Sequence, residues 1–221
     1  MIRKNILLAG VAAFGLLAQP LCAQEASTPV RGKEAGDFVI GASIIGVVPM
    51  NGGSVDVIGG TPDVSNSVTA QLDFTYFFTP NLAVNLIAAT TRHDAEVSGS
   101  ALGVVDLGHV WALPPTLTFQ YHFLPRERFS PYVGAGVNYT VFYGEGGGYS
   151  APVTSVDVRN AWGLALNAGM DIEIAPNWAL NLDVKWIYLR PDVAVETTVG
   201  RINATANIDP WIFGIGVRYR F

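Results

Sequence analysis

Trp211-Ile212-Phe213-Gly214-Ile215-Gly216-Val217-Arg218-Tyr219-Arg220-Phe221 decides how the whole chain is read. Trp211, Phe213, Ile215, Val217, Tyr219 and Phe221 fall on one face; Ile212, Gly214, Gly216, Arg218 and Arg220 fall on the other. A period of two marks a strand, because successive side chains point to opposite sides of the pleat. One side here is greasy and aromatic, the other mostly small or charged. Upstream, the same alternation predicts seven more strands, near residues 37–48, 68–78, 82–92, 116–124, 131–143, 161–174 and 178–190, with the last spanning 210–221. Their apolar faces contain no Asp, Glu, Lys, Arg or His; Ala70, Leu72, Phe74, Tyr76 and Phe78 form one of them. A Lys or Arg facing lipid near the midplane would cost about 2–4 kcal/mol. A soluble sandwich core would exclude charge too, so other features must decide.

Connection length separates the two. About 19 residues follow the first predicted strand, about 23 the third and about 17 the fifth, and about 19 precede the last, as long extracellular loops would. Between them lie only Thr79-Pro80-Asn81, Pro125 to Ser130, and Ala175-Pro176-Asn177. Short periplasmic turns alternating with long loops fit a transmembrane barrel with both termini inside, whereas a Greek-key sandwich gives no reason for strict alternation. Aromatics add a third check. Tyr76, Phe78, Tyr121, Phe123, Trp178, Tyr219 and Phe221 gather at the turn end, and Tyr139, Trp162, Trp186, Tyr188 and Trp211 at the loop end. Two such belts are expected where rings sit at membrane–water interfaces. The pattern therefore predicts an all-β fold, an eight-stranded antiparallel transmembrane β-barrel.

The start of the chain carries a different signal. Met1-Ile2-Arg3-Lys4-Asn5 is basic, Ile6 to Leu17 is apolar, and Ala23 offers a small residue for cleavage, the parts of a secretory leader. The expected division is 1–23 cleaved signal peptide, 24–36 short N-terminal periplasmic segment and 37–221 barrel. Leu21 before Cys22 argues against lipid anchoring, and Cys22 is the only cysteine. The mature chain then offers no disulfide framework, zinc site or thiol catalysis. Losing Arg3 and Lys4 leaves 18 acids against 11 bases, which gives no encouragement to nucleic-acid binding.

Several stretches together resemble the outer membrane protein W (OmpW) family of small barrels. They are Leu113-Pro114-Pro115-Thr116-Leu117, Pro131 to Thr140, Trp162-Gly163, Asp209-Pro210-Trp211-Ile212-Phe213 and Tyr219-Arg220-Phe221, with Leu86 to Thr90 and Glu34 to Phe38 also similar. The resemblance implies residence in the bacterial outer membrane and a narrow channel passing small, often hydrophobic compounds. Related sequences can carry an aromatic where this chain has Lys185, which sets this lumen apart from a purely greasy one.

The inward positions hold whatever function the barrel has, since eight strands enclose room only for side chains or one small ligand. Ile87, Ala89, Ile187, Leu189 and Ile212 are expected to form an apolar lining towards the outer half. A charge cluster is expected in the periplasmic half, from Asp73, His122, Asp171, Glu173, Asp183, Lys185, Arg218 and Arg220. Opposite charges on adjacent strands can pair, so the cluster reads as a structural plug or as an ion-selective filter. Inward glycines at 134, 136, 163, 169, 214 and 216 either ease curvature or leave space.

No cofactor is expected, because no metal-ligand cluster or phosphate-binding loop is present; Gly144 to Gly148 lacks the following Lys-Ser/Thr. Catalysis would need a nucleophile, base and acid held together, and His93-Asp94 with Ser98 is a combination any polar loop supplies; the chain is not expected to be an enzyme. Expected partners are outer-membrane lipid, small hydrophobic solutes, and the barrel-assembly machinery through the strand ending at Phe221. The functional expectation is passive uptake of small apolar molecules, with a non-conducting scaffold, adhesin or receptor as the alternative.

Overall fold

The computed structural model describes residues 30–55, 59–101, 103–198 and 200–221; the expected signal peptide lies outside them. The described strands are β1 (Phe38–Val48), β2 (Gly53–Val55), β3 (Thr61–Val64), β4 (Ser67–Phe77), β5 (Leu82–Ala89), β6 (Thr91–Ser100), β7 (Gly103–Leu113) and β8 (Thr116–His122). They continue with β9 (Phe129–Gly146), β10 (Val153–Val158), β11 (Ala161–Ala175), β12 (Trp178–Leu189), β13 (Asp192–Thr197), β14 (Gly200–Ala206) and β15 (Trp211–Arg220). Eight of these close a ring in the order β1-β4-β5-β8-β9-β11-β12-β15, every pair antiparallel. Closure runs from Val39 opposite Arg220 to Val48 opposite Trp211. Closing the sheet removes the edges whose unpaired backbone groups could not be tolerated in lipid.

Alternation survives into the fold as an inside and an outside. Phe38, Ile44, Leu72, Phe119, Leu164, Phe213 and Ile215 are exposed on the wall, while Val39, Ile45, Thr75, Thr118, Ala165 and Ile212 are buried in the lumen. Rings cluster across neighbouring strands at both ends. Trp178 meets Tyr219 at 4.9 Å on the periplasmic side, and Tyr139 meets Trp162 at 4.7 Å on the extracellular side. The periplasmic connections are tight. At the first, Phe78 N–H donates to the Leu82 carbonyl and Leu82 N–H to Thr79 Oγ1.

The long connections correct the sequence reading, which counts them as loops. Much of their length is strand. β6 and β7 continue β5 and β8 outward as a hairpin, β3 joins β6, and β10-β13-β14-β2 form a separate four-stranded sheet. Val193-Ala194-Val195 lies in that sheet. Val97 and Val105 are buried against Leu107, Val153, Ile202 and Ala204, a small apolar core outside the barrel proper. Glycines and charges interrupt the alternation in these segments, so their strand signal is weak until a neighbouring segment supplies the other half of the core.

Hydrogen bonding in the wall is interrupted on both flanks of β5. The β4/β5 ladder ends at Gln71 opposite Ala89, and pairing resumes only at Val64 opposite Ala95, beside the Ser65 N–H donated to the Asp94 carbonyl. The β5/β8 ladder ends at Ile87 opposite Thr116, and the β6/β7 ladder begins at Thr91 opposite Ala112. Pro114 and Pro115 fall in that second interval and have no N–H to donate.

Candidate functional site: a two-part lumen

The lower lumen is built from charge. Asp171 on β11 accepts from Arg218 Nη1 at 3.0 Å and Asn181 Nδ2 at 2.8 Å, and lies 2.8 Å from Lys33 Nζ. Arg218 Nε also lies 3.1 Å from Asp73 Oδ1, off the line of its N–H. Tyr132 hydroxyl donates to Asp183 Oδ2 at 2.7 Å, Asn167 donates to the same oxygen at 3.2 Å, and Lys185 Nζ pairs with Oδ1. Arg220 Nη2 reaches Glu173 at 3.1 Å and its Nε stands 3.7 Å from Asp37, which Arg31 also contacts. His122, fully buried, lies between the rings of Phe77 and Tyr132 at 4.9 and 4.8 Å. All eight charged or titratable residues expected here are therefore in contact with one another or with this network.

Three charged members are absent from the expected cluster: Arg31, Lys33 and Asp37. The N-terminal segment turns back into the periplasmic mouth, with Lys33 N–H donating to the Pro125 carbonyl and Gly36 N–H to the Phe77 carbonyl. Lys33 Nζ meets His122 Nδ1 at 2.8 Å and donates to Ser130 Oγ at 2.7 Å. Burial pulls the Lys33 ammonium below its usual range, while the Asp171 carboxylate opposes that shift. No periodicity precedes Gly36, so nothing in the sequence points this lysine inward. Tyr132, by contrast, is legible, because alternation with outward Val133 places it inside.

Counting Asp37, Asp73, Asp171, Glu173 and Asp183 against Arg31, Lys33, Lys185, Arg218 and Arg220, five acids face five bases. A balanced set carries no net charge that would favour ions of one sign. Neighbours fill the glycine wall beside the polar network. A Cβ at Gly169 would run into the Tyr132 ring and one at Gly134 into Asn167 and Gln120, and outside that set one at Gly41 would meet the Asp73 carboxylate. Gly134 and Gly169 accommodate the polar network and do not open a channel beside it.

The upper lumen is apolar. Ile45, Val47, Ala89, Ala165, Ile187, Leu189 and Ile212 form one buried cluster with Phe142 and Ala161 packed against it. The five residues expected as lining, Ile87, Ala89, Ile187, Leu189 and Ile212, all border one cavity of about 110 Å³. Pro62, Leu107, Val156, Val193 and Ile208 bring the extracellular elements onto the same space. Ile45 and Val47 are absent from the expected lining although their alternation with outward Ile44 marks them as inward. His93 borders the cavity with both ring nitrogens engaged, by the Ser65 carbonyl at 2.7 Å and Thr91 Oγ1 at 3.0 Å.

The same arrangement has relatives. Residues 34–221 match the model of the OmpW family. The chain is 38% identical to an uncharacterized outer-membrane protein, y4mB, of Sinorhizobium fredii, covering 95% of this chain and 91% of that one. It is 35% identical to outer membrane protein W of Vibrio cholerae, covering 88% and 93%. Among solved structures, the crystal structure of OprG from Pseudomonas aeruginosa superposes with a TM-score of 0.80 at 28% identity, covering 87% of this chain and 99% of OprG.

Proposed function

The chain belongs to the OmpW family of outer-membrane barrels, and from that premise we propose that it is a narrow channel for passive uptake of small, mainly hydrophobic molecules. One observation carries the reading: an apolar cavity open to the extracellular elements stands above a charge-balanced, closely hydrogen-bonded lower lumen. Its volume, about 110 Å³, is in the range of dry apolar cavities that take a single aromatic ring, roughly 150 Å³. A solute leaving downward would have to part paired buried charges, at several kcal/mol each. A solute leaving sideways would meet the wall where its ladders are interrupted, beside Gln71 and Ala89 or at Pro114 and Pro115. Irregular backbone at membrane depth is tolerated where it borders a cavity. The route therefore runs from the extracellular side into the cavity and out through the wall into the bilayer, with no chemical step.

The test uses lipid vesicles containing the purified protein, comparing uptake of a small apolar solute with a charged one of similar size. Faster passage of the apolar solute alone is the expected result. Passage of the charged solute would mean that the Asp183/Lys185 region conducts. Were neither to exceed empty vesicles with the barrel demonstrably folded, the scaffold or receptor reading would replace this one.

A further inference from the structure

We propose that Gln71 reads the solute, selecting apolar molecules that carry one hydrogen-bond donor, such as phenols and alcohols, over bare hydrocarbons. The inference rests on the uptake reading and concerns the same cavity. The polar side chains bordering that cavity are Gln71, Thr91, His93, His109 and Thr140, together with Asp63, Glu96 and Glu145 at its extracellular end. Thr140 Oγ1 donates to Asn138 Oδ1 at 2.8 Å. Thr91 Oγ1 is held by the Ala112 carbonyl at 3.4 Å and His93 Nε2 at 3.0 Å. Gln71 is different: the residue is 5% exposed, and its Oε1 is buried with no hydrogen-bond partner.

A buried amide oxygen without a donor is costly, and a site holding one favours a ligand that supplies the missing hydrogen. The apolar surround strengthens that preference, since Ile45, Ala89, Ile187 and Ile212 around the amide offer no side-chain acceptor, and the carboxylates that border the cavity, Asp63, Glu96 and Glu145, belong to its extracellular end. Position adds a second reason. Gln71 opposite Ala89 is the last pair before the β4/β5 ladder breaks, so the residue stands where the cavity borders the interrupted stretch of wall. A solute bound with its hydroxyl on Gln71 keeps its apolar body against the isoleucines and its polar end at that threshold.

Three probes with the same number of heavy atoms separate the possibilities: benzyl alcohol donates a hydrogen bond, anisole only accepts one, and ethylbenzene does neither. Each is titrated into the protein in lipid nanodiscs while NMR follows the methyl groups of Ile87, Ile187 and Ile212. Comparing wild type with Gln71→Leu for each probe cancels its partition into lipid. The expected result is about tenfold weaker binding of benzyl alcohol to Gln71→Leu, with anisole and ethylbenzene changed less than about twofold. Gln71→Met, which keeps the side-chain length, is measured alongside, and resistance of each barrel to unfolding in cold detergent confirms its fold. Equal losses for all three probes, or none, would overturn the role of Gln71 while leaving the apolar cavity as a binding site. A loss for anisole matching that for benzyl alcohol would overturn the acceptor assignment. Absence of any methyl response in wild type would sink the uptake reading itself, and this inference with it.

Discussion

The two halves of this lumen hang from the same eight strands and use opposite chemistry. Below, every inward charge has a partner, and Asp171 alone joins Lys33, Arg218 and Asn181. Above, at barrel level, the walls are mainly isoleucine, leucine, valine and alanine around open space. The difference teaches where stability and transport reside. Paired ions in a confined space are strongly interdependent, so the lower half resists change. An unfilled apolar cavity loses capacity when a neighbour grows into it, and existing space lets the added bulk fit with little strain. The breaks in the β4/β5 and β5/β8 ladders also lie on the upper side, which keeps the weak part of the wall beside the cavity and away from the ions.

Asp171→Ala should break this contrast most. Leaving Lys33 and Arg218 without that carboxylate is expected to destabilise the barrel by about 3–5 kcal/mol. Denaturant unfolding in lipid vesicles would measure it; a loss below about 1 kcal/mol would mean that water screens the pair as at a surface. Next comes Ala89→Phe, which places a ring in the cavity. Uptake of a small apolar solute should fall about tenfold or more, with a stability change under about 1.5 kcal/mol because the ring fills existing space. Unaltered uptake from a folded barrel would remove the cavity from the route.

Smaller effects sharpen the division. Lys185→Met combined with Asp183→Asn removes a charge pair, while the amide oxygen introduced at position 183 can still accept from the Tyr132 hydroxyl. Stability should change by less than about 1 kcal/mol, as paired replacement of buried ions often does, and apolar uptake should be unaffected. Loss of uptake with intact stability would assign the pair a part in conduction. Least of all, Tyr143→Phe removes the hydroxyl that meets Thr90 Oγ1 beside the interrupted ladders. A net bond of about 0.5 kcal/mol corresponds to roughly a twofold rise in uptake, measurable in the same vesicles; a fall would mean that the contact holds the route open.

Legibility follows the strength of the alternation. Trp211 to Phe221, where aromatics alternate with glycine and arginine, is read in register, as are Ile187, Leu189 and Ile212 on the inner face. The hairpin of β6 and β7 reads as a loop because Asp94, Glu96 and Gly99 interrupt it, and its burial depends on residues far along the chain, Val153 and Ile202. Lys33 is invisible for the same reason. Its partners His122 and Ser130 lie 89 and 97 residues along the chain, and Asp171 farther still.

Sequence alone determined the eight wall strands, which face of each meets lipid, the two aromatic belts and the resemblance to OmpW proteins. A period of two is a local property, and the membrane enforces it at each strand separately. Only the tertiary structure decided which charges pair, that the N-terminal segment enters the mouth, that Tyr132 and Asn167 fill the space beside Gly169 and Gly134, and that Gln71 ends a ladder without a partner for its amide oxygen. Those facts depend on closure. Strands distant in sequence become neighbours across a lumen narrow enough for side chains from opposite walls to meet, and no local pattern encodes that distance.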